Sequence, residues 1–401
     1  MNKQSIRDRI GKFTYLNVTH YASMACYSAF VVAYMTKRGF SSTQIGLILT
    51  INSLISIFAP PVWGMLCDRL RSVRKVYIGH CAVLAVIVPV ITFLPRYVFF
   101  LFWIPLIVLF SSSGIPLLDA WVVQGVKAIP GKSYGSIRLW GALGFMATVA
   151  AMGWLSDMTG MEVTFWVFSL FMTLSAIISF SIRSEGVPDT QGGQKRVRFR
   201  EIEFGKLFRN RFYIIFVLCA FLIHLPMTLK FGFLVQRVYL AGGSDTVYGL
   251  CQAIAALIEI PTFFFSARLL AKFKPQRVIK ASLVIYFLHF FLLSLPLRVP
   301  SLLLIQPLQG IGYSLFVTSS VAYIDSLSPG YLKTSALTFA TALYSGASGI
   351  IGNLFAGLLI DKAGILHSFR YGSYIIGISV LLYFALFKIV SLKHPEPEYN
   401  G

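Results

Sequence analysis

The sequence predicts an all-α integral membrane protein, in which twelve transmembrane helices form two pseudo-symmetric six-helix halves. Three observations predict this fold: a low charged fraction, twelve long apolar segments and an internal repeat. Of the 401 residues, 56% are apolar and only 12% are charged, against about 25% charged in soluble domains. A chain of this composition cannot cover a water-exposed surface, so a soluble globular protein is excluded.

The charge of the chain is strongly basic. Thirty-five Lys and Arg face fifteen Asp and Glu, which gives a formal net charge of +20. A nucleic-acid-binding protein clusters such residues beside aromatic side chains on a polar surface, whereas the 35 Phe here lie in long uncharged segments. The expected partners are therefore a lipid bilayer with an anionic inner leaflet and a small molecule, with no nucleic acid and a functional monomer.

Twelve segments are long and apolar enough to be spanning helices, because about 20 residues cross a hydrocarbon core of about 30 Å. The first six are residues 13–35, 45–67, 76–95, 97–124, 137–156 and 163–182. The second six are residues 212–235, 247–270, 278–297, 300–325, 335–360 and 371–391.

Basic residues concentrate in alternate loops. The basic segments are the N-terminus and residues 69–75, 127–132, 195–211 and 268–280. The positive-inside rule places such loops in the cytoplasm. We therefore expect a multi-pass protein of the cell (inner or plasma) membrane with both termini in the cytoplasm.

An internal repeat relates the two halves at an offset of about 203 residues. Residues 42–47 correspond to residues 245–250, and residues 153–160 correspond to residues 357–364. Two repeats of six helices are typical of secondary transporters, which bind substrate between the repeats near the middle of the membrane.

A polar, basic and Gly-containing linker separates the repeats. We predict an N-terminal six-helix half over 1–183, a cytoplasmic linker over 184–210, and a C-terminal six-helix half over 211–401. A linker of this composition is typical of mobile chain.

The loop after the second predicted span carries a motif of regularly placed Gly, acidic and basic residues. Its members are Gly64, Asp68, Arg69, Arg74 and Lys75. The loop resembles the G-x-x-x-D-R-x-G-R-K signature of the major facilitator superfamily, with Arg71 where a Gly is usual. This resemblance implies a cytoplasmic gate motif, in which Asp68 holds basic groups and favours one of two gate states. The alternative is a simple positive-inside anchor.

Several ionisable or imidazole side chains fall inside predicted spans, where each costs several kcal/mol unless it is paired or hydrated. They are Asp119 in the fourth span, Arg138 in the fifth, Glu259 in the eighth, Lys230 and His224 in the seventh, and His20 in the first. Each is a candidate functional residue on this ground, and Lys230, His20 and His224 are candidate substrate-binding residues. The alternatives are purely structural roles: an Asp119–Arg138 ion pair, a Lys230 side chain that extends towards the membrane surface, and histidines that pack between helices.

The motifs around Asp119 and Arg138 resemble lactose permease and, more closely, the phenylpropionate permeases of the oligosaccharide:proton symporter branch. They are Gly114-x-Pro116-x-x-Asp119-Ala120, then aromatic-Gly135-x-x-Arg138-x-Trp140-Gly141-x-x-Gly144-Phe145. The resemblance implies that Asp119 and Arg138 bind substrate and that Glu259, together with Asp119, couples protons. Trp140 and Phe145 flank this predicted site and could stack on a substrate ring.

One position departs from that family. A His usually follows the Leu-Gln pair of the tenth span, but here Gly310 and Gly312 follow Leu308-Gln309. Proton coupling would then pass through Glu259 alone or be altered.

The sequence therefore predicts a secondary active transporter, a proton-coupled symporter of a small polar or anionic organic solute such as a sugar, nucleoside or aromatic acid, working by alternating access. The alternatives are a proton-driven exporter of drugs or metabolites, and a non-transporting receptor or scaffold. No spacing in the sequence is typical of a catalytic pair, a metal site or a cofactor site, so an enzyme is not expected.

Overall fold

The structure, a computed structural model, describes residues 3–126, 134–182, 207, 209–328 and 332–393. These residues form helices and connecting turns, without a strand in the described ranges. Before residue 183 the helices are α1 (Lys3–Ser28), α2 (Val31–Lys37), α3 (Ser42–Leu70), α4 (Val73–Ile87), α5 (Tyr97–Ser111), α6 (Gly114–Val126), α7 (Tyr134–Thr159) and α8 (Val163–Ser181). After residue 210 they are α9 (Arg211–Leu240), α10 (Asp245–Lys272), α11 (Pro275–Leu293), α12 (Val299–Leu327), α13 (Lys333–Thr341), α14 (Ser348–Ala363) and α15 (Ile365–Lys393).

Within the described residues, eleven helical segments are long and apolar enough to cross a membrane. Three of them combine shorter elements. Helix α4 and the 3-10 helix Pro89–Phe93 form Val73–Phe93, α5 and α6 follow each other over Tyr97–Gly125, and α13, the π-helical turn Ala342–Ala347 and α14 form Lys333–Ala363. The predicted first span, 13–35, is divided, because α1 ends at Ser28 and α2 begins at Val31. The structure therefore gives eleven candidate spans where the sequence predicts twelve.

The structure divides into two compact units that exchange short segments. Unit 1 comprises Met1–Phe40, Leu54–Gly192 and Ser244–Ala256, and unit 2 comprises the remainder. Helix α3 thus gives its first residues to unit 2, and α10 gives its first residues to unit 1. The predicted division at 183 and 211 stays a prediction, and most of the predicted linker, with the basic segment at 127–132, lies outside the described residues.

Small residues allow close helix contacts within each unit. In unit 1, α1 packs against α7 and α8, and a Cβ on Gly141 would lie 2.5 Å from the ring of Tyr21. In unit 2, α9 packs against α14 and α15, and a Cβ on Gly352 would lie 2.6 Å from the Leu225 carbonyl oxygen. Such contacts are typical of membrane helices, whose association depends on close packing of small residues.

Helix α3 ends in a left-handed turn at Arg71. Arg71 has φ 47°, and the other described residues with positive φ are Gly39, Gly160, Gly242 and Gly364. The Arg71 amide donates to the Asp68 carbonyl and the Ser72 amide to the Cys67 carbonyl, at 3.3 Å each. This turn geometry favours glycine, because a Cβ crowds the backbone there. The turn therefore explains why the superfamily signature has a Gly where this chain has Arg71.

Replacing Arg71 by Gly is expected to stabilise the protein. The substitution removes left-handed strain of about 1 kcal/mol, so the thermal unfolding midpoint of purified Arg71→Gly should rise. The control is Arg69→Gly in the last turn of α3, where Gly costs up to about 1 kcal/mol in a helix, so this midpoint should fall. A fall in both variants would contradict the turn explanation.

Candidate functional site

A histidine of α1 lies at the centre of a buried polar cluster in unit 1. His20 is fully buried, and its Nδ1 hydrogen-bonds to the Tyr77 hydroxyl of α4 at 2.9 Å. The His80 ring lies 6.2 Å from the His20 ring. Gly114, the first residue of α6, allows both rings to approach, since a Cβ there would lie 2.6 Å from His80 Nε2 and 2.8 Å from His20 Cε1. Sequence reasoning singled out His20 but missed Tyr77 and His80, which carry no motif.

Asp119 lies on α6 with one buried carboxylate oxygen available. Its Oδ1 is buried and has no hydrogen-bond partner in the described structure. The hydroxyl of Tyr134, on the first turn of α7, interacts with the same carboxylate. An acceptor of this kind can receive a hydrogen bond from a hydroxyl or amide of a bound solute.

Arg138 does not pair with Asp119. Its guanidinium carbon lies 4.0 Å from the centre of the Tyr21 ring, which is a cation–π contact, and its charge also acts on His20. The ion pairs within 4 Å among described residues join Lys12 to Asp8, Lys37 to Asp245 and Lys333 to Asp325. The structural alternative for Asp119 and Arg138, an ion pair that fixes helix register, is therefore absent from the described structure, although both residues lie in unit 1.

The aromatic candidates of α7 differ in their surroundings. The Trp140 side chain is exposed and Phe145 is half-buried. Trp121 of α6 is buried instead, with its ring 5.4 Å from Phe13 and 5.8 Å from Tyr77. Trp121 thus packs within the polar cluster. Trp140, by contrast, makes no aromatic ring contact with another described residue.

Unit 2 holds the second group of buried polar residues. Glu259 of α10 is half-buried, and Lys230 of α9 is only 5% exposed. The Lys230 charge acts on Glu259, and its Nζ lies 4.7 Å from the Phe231 ring. The buried Ser314 of α12 donates to the Glu259 carbonyl at 3.3 Å. A lysine buried to this degree does not simply extend to a surface.

Tyr286 links this acid to two further tyrosines, and sequence reasoning missed all three. Tyr286 of α11 interacts electrostatically with Glu259, Tyr313 and Tyr344, and it is almost fully buried. Tyrosines are frequent in the chain, and no spacing distinguishes these three. Their role emerges only from the packing of α11 against α12 and of the π-helical turn Ala342–Ala347 against α9.

Tyr286 lies against one of the two glycines that follow the Leu308-Gln309 pair of α12. A Cβ on Gly312 would lie 3.0 Å from Tyr286 Cδ1. The tyrosine ring therefore occupies the space into which a larger side chain at position 312 would extend. Asp325, further along α12, is exposed and pairs with Lys333 at 2.6 Å.

His224 is held by packing contacts. Its Nδ1 lies 2.9 Å from the Ala220 carbonyl oxygen of its own helix. Its ring lies 5.0 Å from Phe316 and 4.8 Å from Tyr344. This arrangement favours the structural alternative for His224, although Tyr344 connects it to the tyrosines near Glu259.

The residues of the cytoplasmic gate motif do not form one cluster. Arg74 donates from Nε to the Ser179 carbonyl at 3.0 Å and from Nη2 to the Phe180 carbonyl at 2.7 Å. A guanidinium at a helix C-terminus satisfies free carbonyl groups and the negative end of the dipole. Gly64, Asp68, Arg69 and Lys75 are exposed, and Asp68 makes no ion pair within 4 Å with a described residue.

The fold and these clusters define a class of protein. Long apolar helices with buried charged and imidazole side chains are typical of multi-pass membrane proteins that move solutes or ions. Comparison with known proteins identifies the family within this class. The sequence model of the MFS_1 like family matches residues 12–371. The chain belongs to this family of the major facilitator superfamily, and it is a membrane transporter and not an enzyme.

Two relatives and one solved structure illustrate the similarity. The maltose permease of Geobacillus stearothermophilus is 24% identical over 367 residues, which cover 91% of each chain. The "Probable 3-phenylpropionic acid transporter" of Escherichia coli is 23% identical over 257 residues, 64% of this chain and 66% of that one. The crystal structure of the nucleoside transporter NupG superposes with a TM-score of 0.82 at 16% identity, over 95% of this chain and 99% of that one. The resemblance predicted from the sequence is confirmed.

Tyr21 is expected to support solute affinity through Arg138. Tyr21→Leu removes the ring under the guanidinium, and a cation–π contact of about 0.5–2 kcal/mol corresponds to about a two- to thirty-fold loss of affinity. Tyr21→Phe is the matched control, because the Tyr21 hydroxyl has no hydrogen-bond partner in the described structure. The measurement is the half-saturating concentration of whichever sugar, nucleoside or aromatic acid stabilises the purified protein. Equal affinities for both variants would contradict this role.

Proposed function

We propose that the protein is a proton-coupled symporter, which imports a small polar or anionic organic solute by alternating access. The observation that carries the proposal is the separate placement of buried ionisable groups. Asp119 keeps a free acceptor oxygen, while Arg138 makes no ion pair with it. A bound solute can therefore donate a hydrogen bond to this Asp119 oxygen and contact Arg138 as well, because the two residues are not engaged with each other.

The chemistry of unit 1 favours solutes with hydroxyl groups and a ring. Arg138 supplies up to five N–H donors and Asp119 accepts hydrogen bonds, and Trp140 and Phe145 offer aromatic surface on the same helix as Arg138. The names of the maltose permease and of NupG point to the same classes of solute. A thermal-shift screen of sugars, nucleosides and aromatic acids on the purified protein identifies the class. Stabilisation by none of these solutes would contradict the proposal.

Unit 2 is proposed to couple the proton. Glu259 interacts with the buried Lys230 and with the buried Tyr286. In the proposed cycle, Glu259 gains a proton from outside while the solute binds near Asp119 and Arg138. The protein then closes towards the outside and opens towards the cytoplasm, and the proton leaves on that side. His20, His224 and Lys230 are proposed to take part in substrate binding, His224 mainly through packing.

The proposed architecture follows the family. We propose twelve spans, with α1 and α2 forming the first across their break, and two six-helix halves over 1–183 and 211–401 joined by the linker at 184–210. The basic loops are proposed to face the cytoplasm, with both termini, along the anionic inner leaflet of the cell membrane. The exposed Asp68 is proposed to bind basic groups of the gate motif in the other gate state. The monomer is the proposed functional form.

Glu259→Gln is expected to abolish uptake driven by a pH gradient while sparing solute counterflow. The amide keeps the shape of the side chain but cannot carry the transported proton, whereas counterflow needs only the loaded carrier. Both activities are measured in proteoliposomes with the solute from the thermal-shift screen. The matched control is Asp325→Asn, since Asp325 is exposed and pairs with Lys333 outside the cluster. Uptake by Glu259→Gln with unchanged pH dependence would contradict the coupling role.

An exporter is the second candidate, because the motif at residues 64–75 is shared by drug and metabolite exporters of the superfamily. The direction of transport separates the two. Proton-driven accumulation in right-side-out vesicles supports the symporter, and accumulation in inside-out vesicles supports the exporter.

A further inference from the structure

The matched segments of the internal repeat form two equivalent junctions between helices, one in each unit. In unit 1, the C-terminal end of α7 meets the first turn of α10. In unit 2, the C-terminal end of α14 meets the first turn of α3. Each junction joins a segment from the first half of the sequence to a segment from the second half, so a relative movement of the predicted halves has to separate both.

An aspartate closes each junction. In unit 1, Asp157 Oδ1 accepts from the Asp245 amide at 3.0 Å, and Oδ2 accepts from the Thr246 amide at 2.9 Å and from the Thr246 hydroxyl. In unit 2, Asp361 Oδ1 accepts from the Ser42 amide at 2.9 Å, and Oδ2 from the Thr43 amide at 2.7 Å. Each carboxylate thus binds the free amides at a helix N-terminus, where the helix dipole also favours a negative charge.

Glycines bring the backbones together beneath each carboxylate. In unit 1, a Cβ on Gly153 would lie 2.5 Å from the Asp245 carbonyl oxygen, and a Cβ on Gly249 would lie 2.5 Å from that of Val149. In unit 2, a Cβ on Gly46 would lie 2.5 Å from the Asn353 carbonyl oxygen, and one on Gly357 would clash with that of Ser42. These contacts fix the distance at which an aspartate one turn further along can reach two amides.

Charge is balanced differently in the two junctions. Asp245 is fully buried and could repel Asp157, but its Oδ2 is bound by Lys37 of α2. Ser42, the equivalent residue in unit 2, is neutral and donates to Gln236 Oε1 at 3.2 Å. Each junction therefore tolerates one capping carboxylate without an uncompensated second charge.

We propose that Asp157 and Asp361 are positioning residues of the transport cycle. Together they hold the side of the protein opposite the basic loops closed, and both must release their helix N-terminus before that side opens. This inference rests on the alternating access of the proposed function. The two caps act as one latch, because a concerted movement of the halves breaks both together.

The buried thiol of Cys251 reports the opening. Cys251 lies on α10 two residues after Gly249, and it is fully buried at the unit 1 junction. Its labelling by a membrane-impermeant maleimide in right-side-out vesicles, quantified at this residue by mass spectrometry, measures how often the junction opens. The measurement needs no solute and no pH gradient.

Removing either cap should accelerate the labelling of Cys251. Asp157→Ala and Asp361→Ala should each raise the rate by about two- to thirty-fold, which corresponds to the loss of one helix cap, and the double variant should exceed both. Asp157→Asn and Asp361→Asn keep the side-chain shape and one acceptor oxygen, so they should show smaller increases. They also serve as folding-competent substitutes where an alanine variant is not monodisperse.

The matched control is Glu162→Gln. Glu162 is an exposed acid directly before the first residue of α8, next to the same end of α7, and its side chain caps no amide. Its substitution should leave the labelling rate unchanged.

The Asp361 variants distinguish a concerted latch from a local structural effect at the unit 1 junction, because Asp361 lies in unit 2 and the reporter Cys251 lies in unit 1. Faster labelling in both Asp157 and Asp361 variants supports the concerted latch. An effect of Asp157 alone, an effect of neither residue, or an equal effect of Glu162→Gln would overturn it. Failure here with intact proton-driven uptake contradicts only the latch, and loss of proton coupling with a positive labelling result contradicts only the coupling proposal.

Discussion

Hydrocarbon offers no hydrogen-bond partner to a backbone amide or carbonyl, and this constraint governs the rest of the structure. Spanning segments have to satisfy their backbone groups internally, so they form helices. Helices in such a solvent gain little from burying apolar faces against each other, and they associate where small residues allow close contact. The positions of Gly141 against Tyr21 and of Gly153 against Asp245 follow from this requirement. These glycines therefore mark positions where the helices come closest together.

The same constraint gives meaning to the few charged residues inside the helices. A buried charge persists in an apolar surrounding only with partners that offset its desolvation. Arg138 lies on an aromatic ring, and Lys230 lies beside Phe231 and near Glu259. These contacts lower the cost of burying each charge, and buried charged groups in a membrane protein are candidate functional residues.

Much of this organisation could be predicted from the sequence, because hydropathy, basic loops and repeats are local patterns. The apolar segments identified the class, and the matched segments at 42–47, 245–250, 153–160 and 357–364 are those that meet in the two junctions. The break between α1 and α2 was not predicted, since no Pro or Gly marks it. Tyr286 and His80 were missed because their roles depend on which helices pack together. The sequence shows that Arg71 replaces the glycine of the signature. Only the backbone shows why glycine is usual there, because the position adopts a left-handed turn.

In the proposed cycle, solute movement and proton movement are one process. The most direct measurement adds a stabilising solute to lightly buffered proteoliposomes at equal internal and external pH, and follows the internal pH with a trapped fluorescent probe. The proposed symport predicts that inward movement of the solute acidifies the interior, and that a protonophore abolishes the change. Accumulation of the solute without any change of internal pH would contradict the account.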